Sequence, residues 1–292
     1  MQAPSLDAVT CLTVSAVQLS TQPPNPLPND ESIQAPEAPT FDFSAQPMPA
    51  QAPKDPPWSI GDVLLLAALS FVAVFILQAI ALVIGTRLHP HMPVLDVAKN
   101  ARYLVPPQLI AYLLIFAYMV ALVRARGVPF WRGIRWDWPK SWILFLLGGL
   151  GVALFTQVVG SRLPMPKDTP FQQYFSDTTS AYLMAVMAVF FAPFMEEMFF
   201  RGFMFPVLAR KLGTIASIFI TAICFTLIHA QQLAVSWAPL LLIFIVGITL
   251  TLVRYRTGSV ASSFLVHFGY NFSLLAVAFF ASDHFRHFEK IP

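Results

Sequence analysis

Six polar residues, Glu196, Glu197, Arg201, His229, His267 and Asn271, interrupt apolar runs in the C-terminal half of the chain. An ionisable group at membrane depth raises the free energy of the fold, so each is a functional candidate by default. Glu197 and Arg201 are four apart, hence on one helical face and able to pair. Glu196 is turned about 100° from its neighbour and can point elsewhere while the arginine holds Glu197. The adjacent carboxylates repel each other, and a carboxylate able to take up a proton near neutrality is what a general base needs. Pro193 has no N–H, which leaves the Val189 carbonyl without its helical donor and predicts a kink or an opening for water before the acidic pair.

Phe225 lies one helical turn before His229, and His267 one turn before Asn271, so each pair shares a face. Each polar residue alone also has an architectural reading. Glu197–Arg201 can be an ion pair that locks helices, and a membrane His or Asn can be a hydrogen bonder between helices. Taken together, a base, an imidazole and a His/Asn donor pair are the parts that activate water and hold a tetrahedral oxyanion.

Glu-Glu-x-x-x-Arg at 196–201, Phe-x-x-x-His at 225–229 and His-x-x-x-Asn at 267–271 occur in that order on successive hydrophobic segments, with Pro193 and Gly202 in the flanks. This pattern resembles the CPBP family, the CAAX proteases and bacteriocin-processing enzymes also called the Abi family. Its eukaryotic members are the type II CAAX prenyl endopeptidases. The resemblance covers residues 140–281. It implies an intramembrane endopeptidase acting on a membrane-tethered peptide or protein, of CAAX type or other. By resemblance Glu196 is the base that activates water, assisted by His229. His267 and Asn271 stabilise the oxyanion, and Glu197 and Arg201 form a supporting pair.

The His-Glu-x-x-His signature of zinc proteases is absent from the sequence. Zinc is still possible, with Glu196, His229 and His267 as ligands and one position open for water. An asparagine beside the second histidine suits an oxyanion hole better than a zinc shell, so a metal-free mechanism without cofactor is favoured.

The elements that must position these residues follow from composition. The chain is 57% hydrophobic and 11% charged, against about 25% charged in soluble domains. This excludes an ordinary soluble enzyme and predicts an all-α, polytopic transmembrane bundle of seven or eight spans enclosing a polar cavity. Apolar runs at 60–86, 107–123, 142–160, 181–200, 213–230, 237–253 and 258–281 approach the roughly 20 residues a spanning helix needs. The second is short, and Pro106-Pro107 suits its N-terminus. The fourth is expected to continue to Ala209.

Residues 1–57 are acidic and rich in proline, and read as a disordered tail. Residues 58–140 supply the first helices and a basic loop, and 141–292 the catalytic transmembrane domain. The remainder beyond the tail is basic, but basic loops on one membrane side account for that without nucleic acid. Arg124, Arg126, Arg132, Arg135 and Lys140, then Arg210 and Lys211, then Arg254 and Arg256 fill three breaks on one side. That side is cytoplasmic by the positive-inside tendency, which places the N-terminus inside; the membrane expected is a bacterial inner (plasma) membrane. Cys11 and Cys224 form no disulfide framework or cysteine metal site.

Two other functions compete. A transporter would use the charges as an ion path, but the internal repeats common in transporters are not evident. A non-catalytic immunity or scaffold protein would use the cluster only to lock helices. Depth is the remaining tension, because His229 sits at the far end of its run while Arg201 nears the cytoplasmic end of its own. Tilted or kinked helices around a water-accessible cavity would reconcile the two.

Overall fold

A computed structural model describes residues 55–166, 170–175 and 177–287. The chain divides into units 1–51 and 52–292, and all described residues belong to the second. The tail expected over 1–57 therefore lies outside the described residues up to Lys54. The described residues are helical, without a strand. The helices are α1 (Ile60–Leu88), α2 (Val94–Lys99), α3 (Ala101–Arg124), α4 (Phe130–Gly133) and α5 (Trp142–Gly160). They continue with α6 (Thr178–Leu212), α7 (Thr214–His229), α8 (Trp237–Thr257) and α9 (Val260–Ala281).

Six of these, α1, α3, α5, α6, α8 and α9, are long and apolar enough to cross a membrane. Of the seven apolar runs expected to span, the fifth folds as α7, an apolar helix of only 16 residues. Outward positions are apolar, as Leu64, Phe71, Leu113, Leu144, Ile215 and Phe280 show, which is what lipid as solvent demands. The interior holds Met119, Phe203, Phe225 and Leu250 together with the charged Glu197 and Arg201. The chain is an integral membrane protein.

Local signals explain the boundaries. Ser59 and Asp62 form a capping box at the start of α1, and the Arg126 guanidinium grips both Asp62 oxygens at 2.8 and 2.9 Å. The start of α1 is thereby tied to the end of α3. Pro106 and Pro107 do not begin α3 but lie inside it. Asn100 caps the helix instead, accepting from the Arg102 N–H at 3.0 Å. The cap outcompetes the proline signal because it satisfies an end donor that a proline merely removes.

Asp177 caps α6 by accepting from the N–H groups of Thr179 and Ser180. The Ser180 hydroxyl bond, together with those amides, holds its carboxyl below the ordinary range despite partial burial. A lowered carboxylate pKa contributes stability above the unfolded value of about 4 that disappears as pH falls through the folded value. Asp177→Ala should therefore lower stability by about 1 kcal/mol at neutral pH, and the loss should shrink in acid, as thermal midpoints across pH would read.

Helices α5 and α9 pack most extensively, and glycines explain why. A Cβ on Gly149 would strike the Val266 carbonyl and one on Gly269 the Leu146 carbonyl. The two backbones approach at a distance only small residues allow, and this fixes α9, which carries His267 and Asn271.

Candidate active site

Helix α6 carries the acidic pair and departs from α-helical winding twice, with π turns at Met187–Phe191 and Met198–Met204. At the first, the Ala192 N–H reaches back five residues to the Met187 carbonyl. The next N–H in that register belongs to position 193, a proline, so the carbonyl left bare is that of Ala188. Counted in the α register the same proline leaves the Val189 carbonyl without its donor; in the π register the carbonyl that loses it is that of Ala188. Asn271 of α9 fills that vacancy, with Nδ2 donating to the Ala188 oxygen at 2.7 Å.

The winding sends the two glutamates in different directions. Glu197 is fully buried, and its Oε1 accepts from the Arg201 guanidinium at 2.8 Å and from His267 Nδ1 at 2.9 Å. Its Oε2 accepts from the Ser263 hydroxyl at 2.6 Å. Arg201, equally buried, donates to the Gly247 carbonyl at 3.0 Å and to the Thr251 hydroxyl at 3.4 Å. The Phe225 ring lies beneath it, 4.6 Å from the guanidinium carbon, a cation–π contact. Glu196 instead keeps its side chain 17% exposed, with Oε1 3.9 Å from His229 Nε2 and Oε2 3.7 Å from His267 Nε2.

The partners of the imidazoles settle which nitrogen carries a proton. His229 Nδ1 lies 2.8 Å from the Phe225 carbonyl, and a carbonyl only accepts, so Nδ1 holds the hydrogen and neutral Nε2 presents a lone pair. His267 Nδ1 likewise donates to Glu197. Both Nε2 atoms therefore face Glu196, at separations too long for a direct hydrogen bond and suited to a bridging water.

The apparent conflict of depth disappears. α6 and α7 are joined at Gly213, whose φ of 80° lies in the left-handed region that favours glycine. Glu197 precedes this residue by 16 positions and His229 follows it by 16. In an antiparallel helix pair, positions equally far from the turn lie side by side.

All six residues named from the sequence contribute: five form one contact network, and Asn271 joins through the backbone of α6. The network also takes in residues the sequence reading passed over: Ser263, Gly247 and Thr251. Ser263 stands four before His267 and Gly247 four before Thr251, a spacing that could have marked them as one-face neighbours of the site. Among the described residues no three His, Cys, Asp or Glu side chains are grouped to hold an ion.

Residues 178–273 match the family model described as Type II CAAX prenyl endopeptidase Rce1-like. No curated protein and no solved structure matches the chain. The matched stretch contains all six polar residues.

Proposed function

We propose, from the match of residues 178–273 to the type II CAAX prenyl endopeptidase Rce1-like model, that the chain is an intramembrane protease which hydrolyses peptide bonds of membrane-tethered substrates with Glu196 as the base. One observation carries this reading: a partly exposed carboxylate faces two imidazole Nε2 atoms at 3.9 and 3.7 Å, while both Nδ1 atoms are engaged elsewhere.

A water in that gap donates one hydrogen to Glu196 and the other to the His229 Nε2 lone pair. Glu196 takes its proton as the oxygen bonds to the scissile carbonyl carbon, producing a tetrahedral oxyanion. His267, its Nδ1 held by Glu197, turns Nε2 toward that oxyanion and stabilises it when that nitrogen carries a hydrogen. The Asn271 amide, with one N–H spent on Ala188, has a second to offer. The proton on Glu196 then passes to the leaving nitrogen as the C–N bond breaks, and the carboxylate is regenerated. Glu197 fixes the His267 ring, and Arg201 holds Glu197.

The reaction is proposed to run without metal, in a bacterial inner membrane with the N-terminus cytoplasmic. The test is cleavage of prenylated and acylated peptides by purified protein in liposomes, read by mass spectrometry of the products. Wild-type protein stripped of metal with a chelator should keep its rate. Loss of the rate with recovery on adding zinc would overturn the metal-free mechanism. Absence of cleavage of every tethered peptide, with an ion flux that depends on Glu196, would replace the protease with a transporter.

A further inference from the structure

The second π turn of α6 repeats the arrangement of the first with different residues. The Phe205 N–H reaches back five residues to the Phe200 carbonyl. The next position is Pro206, which has no N–H, so in this register the carbonyl of Arg201 loses its donor. Arg254 of α8 supplies one, its Nε donating to the Arg201 oxygen at 3.2 Å. Each π turn is thus followed two residues on by a proline, and each vacated carbonyl is closed by a side chain from another helix: Asn271 at Ala188, Arg254 at Arg201.

Arg254 was read from the sequence as one of the basic residues at a membrane boundary. It is in fact 5% exposed. A cation buried to that extent is expensive without compensation; Asp55 and Asp137 attract it from a distance, while its hydrogen bond goes to the neutral Arg201 carbonyl. Its place on α8 shows what the bond accomplishes. Gly247, Thr251 and Arg254 follow one another at helical spacing on one face, and all three bond Arg201: the first two hold its guanidinium, the third its backbone.

The winding gives this contact its leverage. A π turn holds one residue more than an α turn, and one residue is about 100° of helix phase. The turn at Met198–Met204 begins just after the acidic pair, so its closure sets the direction of Glu196 and Glu197 relative to the rest of α6. We infer that Arg254 is a positioning residue of the active site, closing the proline-vacated carbonyl of Arg201 so that the π turn presents Glu196 and Glu197 to the two histidines. This rests on the proposed protease reading.

The proline provides the test. Pro206→Ala restores a backbone N–H in register with the Arg201 carbonyl and should make Arg254 dispensable. Arg254→Met, Arg254→Lys, Pro206→Ala and the double variant Arg254→Met/Pro206→Ala are compared in liposomes for kcat, KM and thermal midpoint, with rates expressed per folded molecule. Misplacing a catalytic group by about 1 Å lowers rates roughly 100-fold, so Arg254→Met should lower kcat about 10- to 100-fold with KM nearly unchanged. Arg254→Lys, which keeps a donor, should lose less. Pro206→Ala alone should resemble wild type, and the double variant should recover most of the lost kcat. A double variant no more active than Arg254→Met overturns the inference. So does recovery of the thermal midpoint without recovery of kcat, since the contact would then be architectural alone. If wild type cleaves no peptide, the protease reading fails by itself, and the midpoints still decide the bond. Coupled shifts in the double variant support the closure by Arg254, and additive shifts refute it.

Discussion

Glu196→Gln should abolish most of the peptidase activity while leaving the fold intact. The substitution keeps the size of the side chain and removes its ability to take a proton. General-base assistance contributes about 10²- to 10⁴-fold, so kcat should fall within that range, with KM little changed. Stability should hardly move, because the Glu196 carboxylate faces the two imidazole nitrogens at 3.7 and 3.9 Å, beyond hydrogen-bond distance. No tight hydrogen bond is broken. Circular dichroism and thermal midpoints, measured beside the cleavage rate, separate a dead site from an unfolded one. Equal cleavage by the variant and wild type would remove Glu196 as the base.

The neighbouring glutamate should behave in the opposite way. Glu197→Gln leaves Arg201 buried without its counter-charge, and Arg201→Met leaves Glu197 likewise. Removing one member of a buried pair destabilises by about 3–5 kcal/mol, so each single variant should unfold at a markedly lower temperature. Removing both charges at once eliminates the unpaired ion, and the double variant Glu197→Gln/Arg201→Met should be more stable than the sum of the singles predicts. Activity should nevertheless stay low in the double variant, because His267 Nδ1 loses its carboxylate acceptor. Recovery of both stability and cleavage would show that His267 does not need the charge of Glu197, since the glutamine oxygen can still accept from Nδ1.

The two glutamates illustrate what a sequence can reveal. The Glu197–Arg201 contact is local, set by a four-residue step on one helix, and was legible at once. The same is true of the apolar runs, whose ends at α5 match the structure to the residue. The convergence of Glu196 with His229 and His267 is not local. It depends on how α6, α7 and α9 pack, and the motifs suggested it only through their resemblance to a family. What escaped reading did so for identifiable reasons. Thr251 and Gly247 look unremarkable in an apolar helix, where small residues are common at helix contacts. Arg254 sits next to Arg256 and resembles a boundary charge until the last turn of α8 is seen to point it inward. The π turns were hidden because Pro193 signals a missing donor but not which carbonyl is left bare.

The shortness of α7 bears on the lipid around the protein. Its 16 residues rise about 24 Å, less than the roughly 30 Å of a bilayer's hydrocarbon core. A hydrophobic segment shorter than the core is accommodated by local thinning of the bilayer. His229 ends this helix, so thinning beside α7 would bring the headgroup layer, with its water, toward the depth of Glu196. Acyl-chain length then becomes a variable of the reaction: longer lipids would deepen the hydrocarbon above the site, and shorter ones would ease the approach of both water and a tethered peptide.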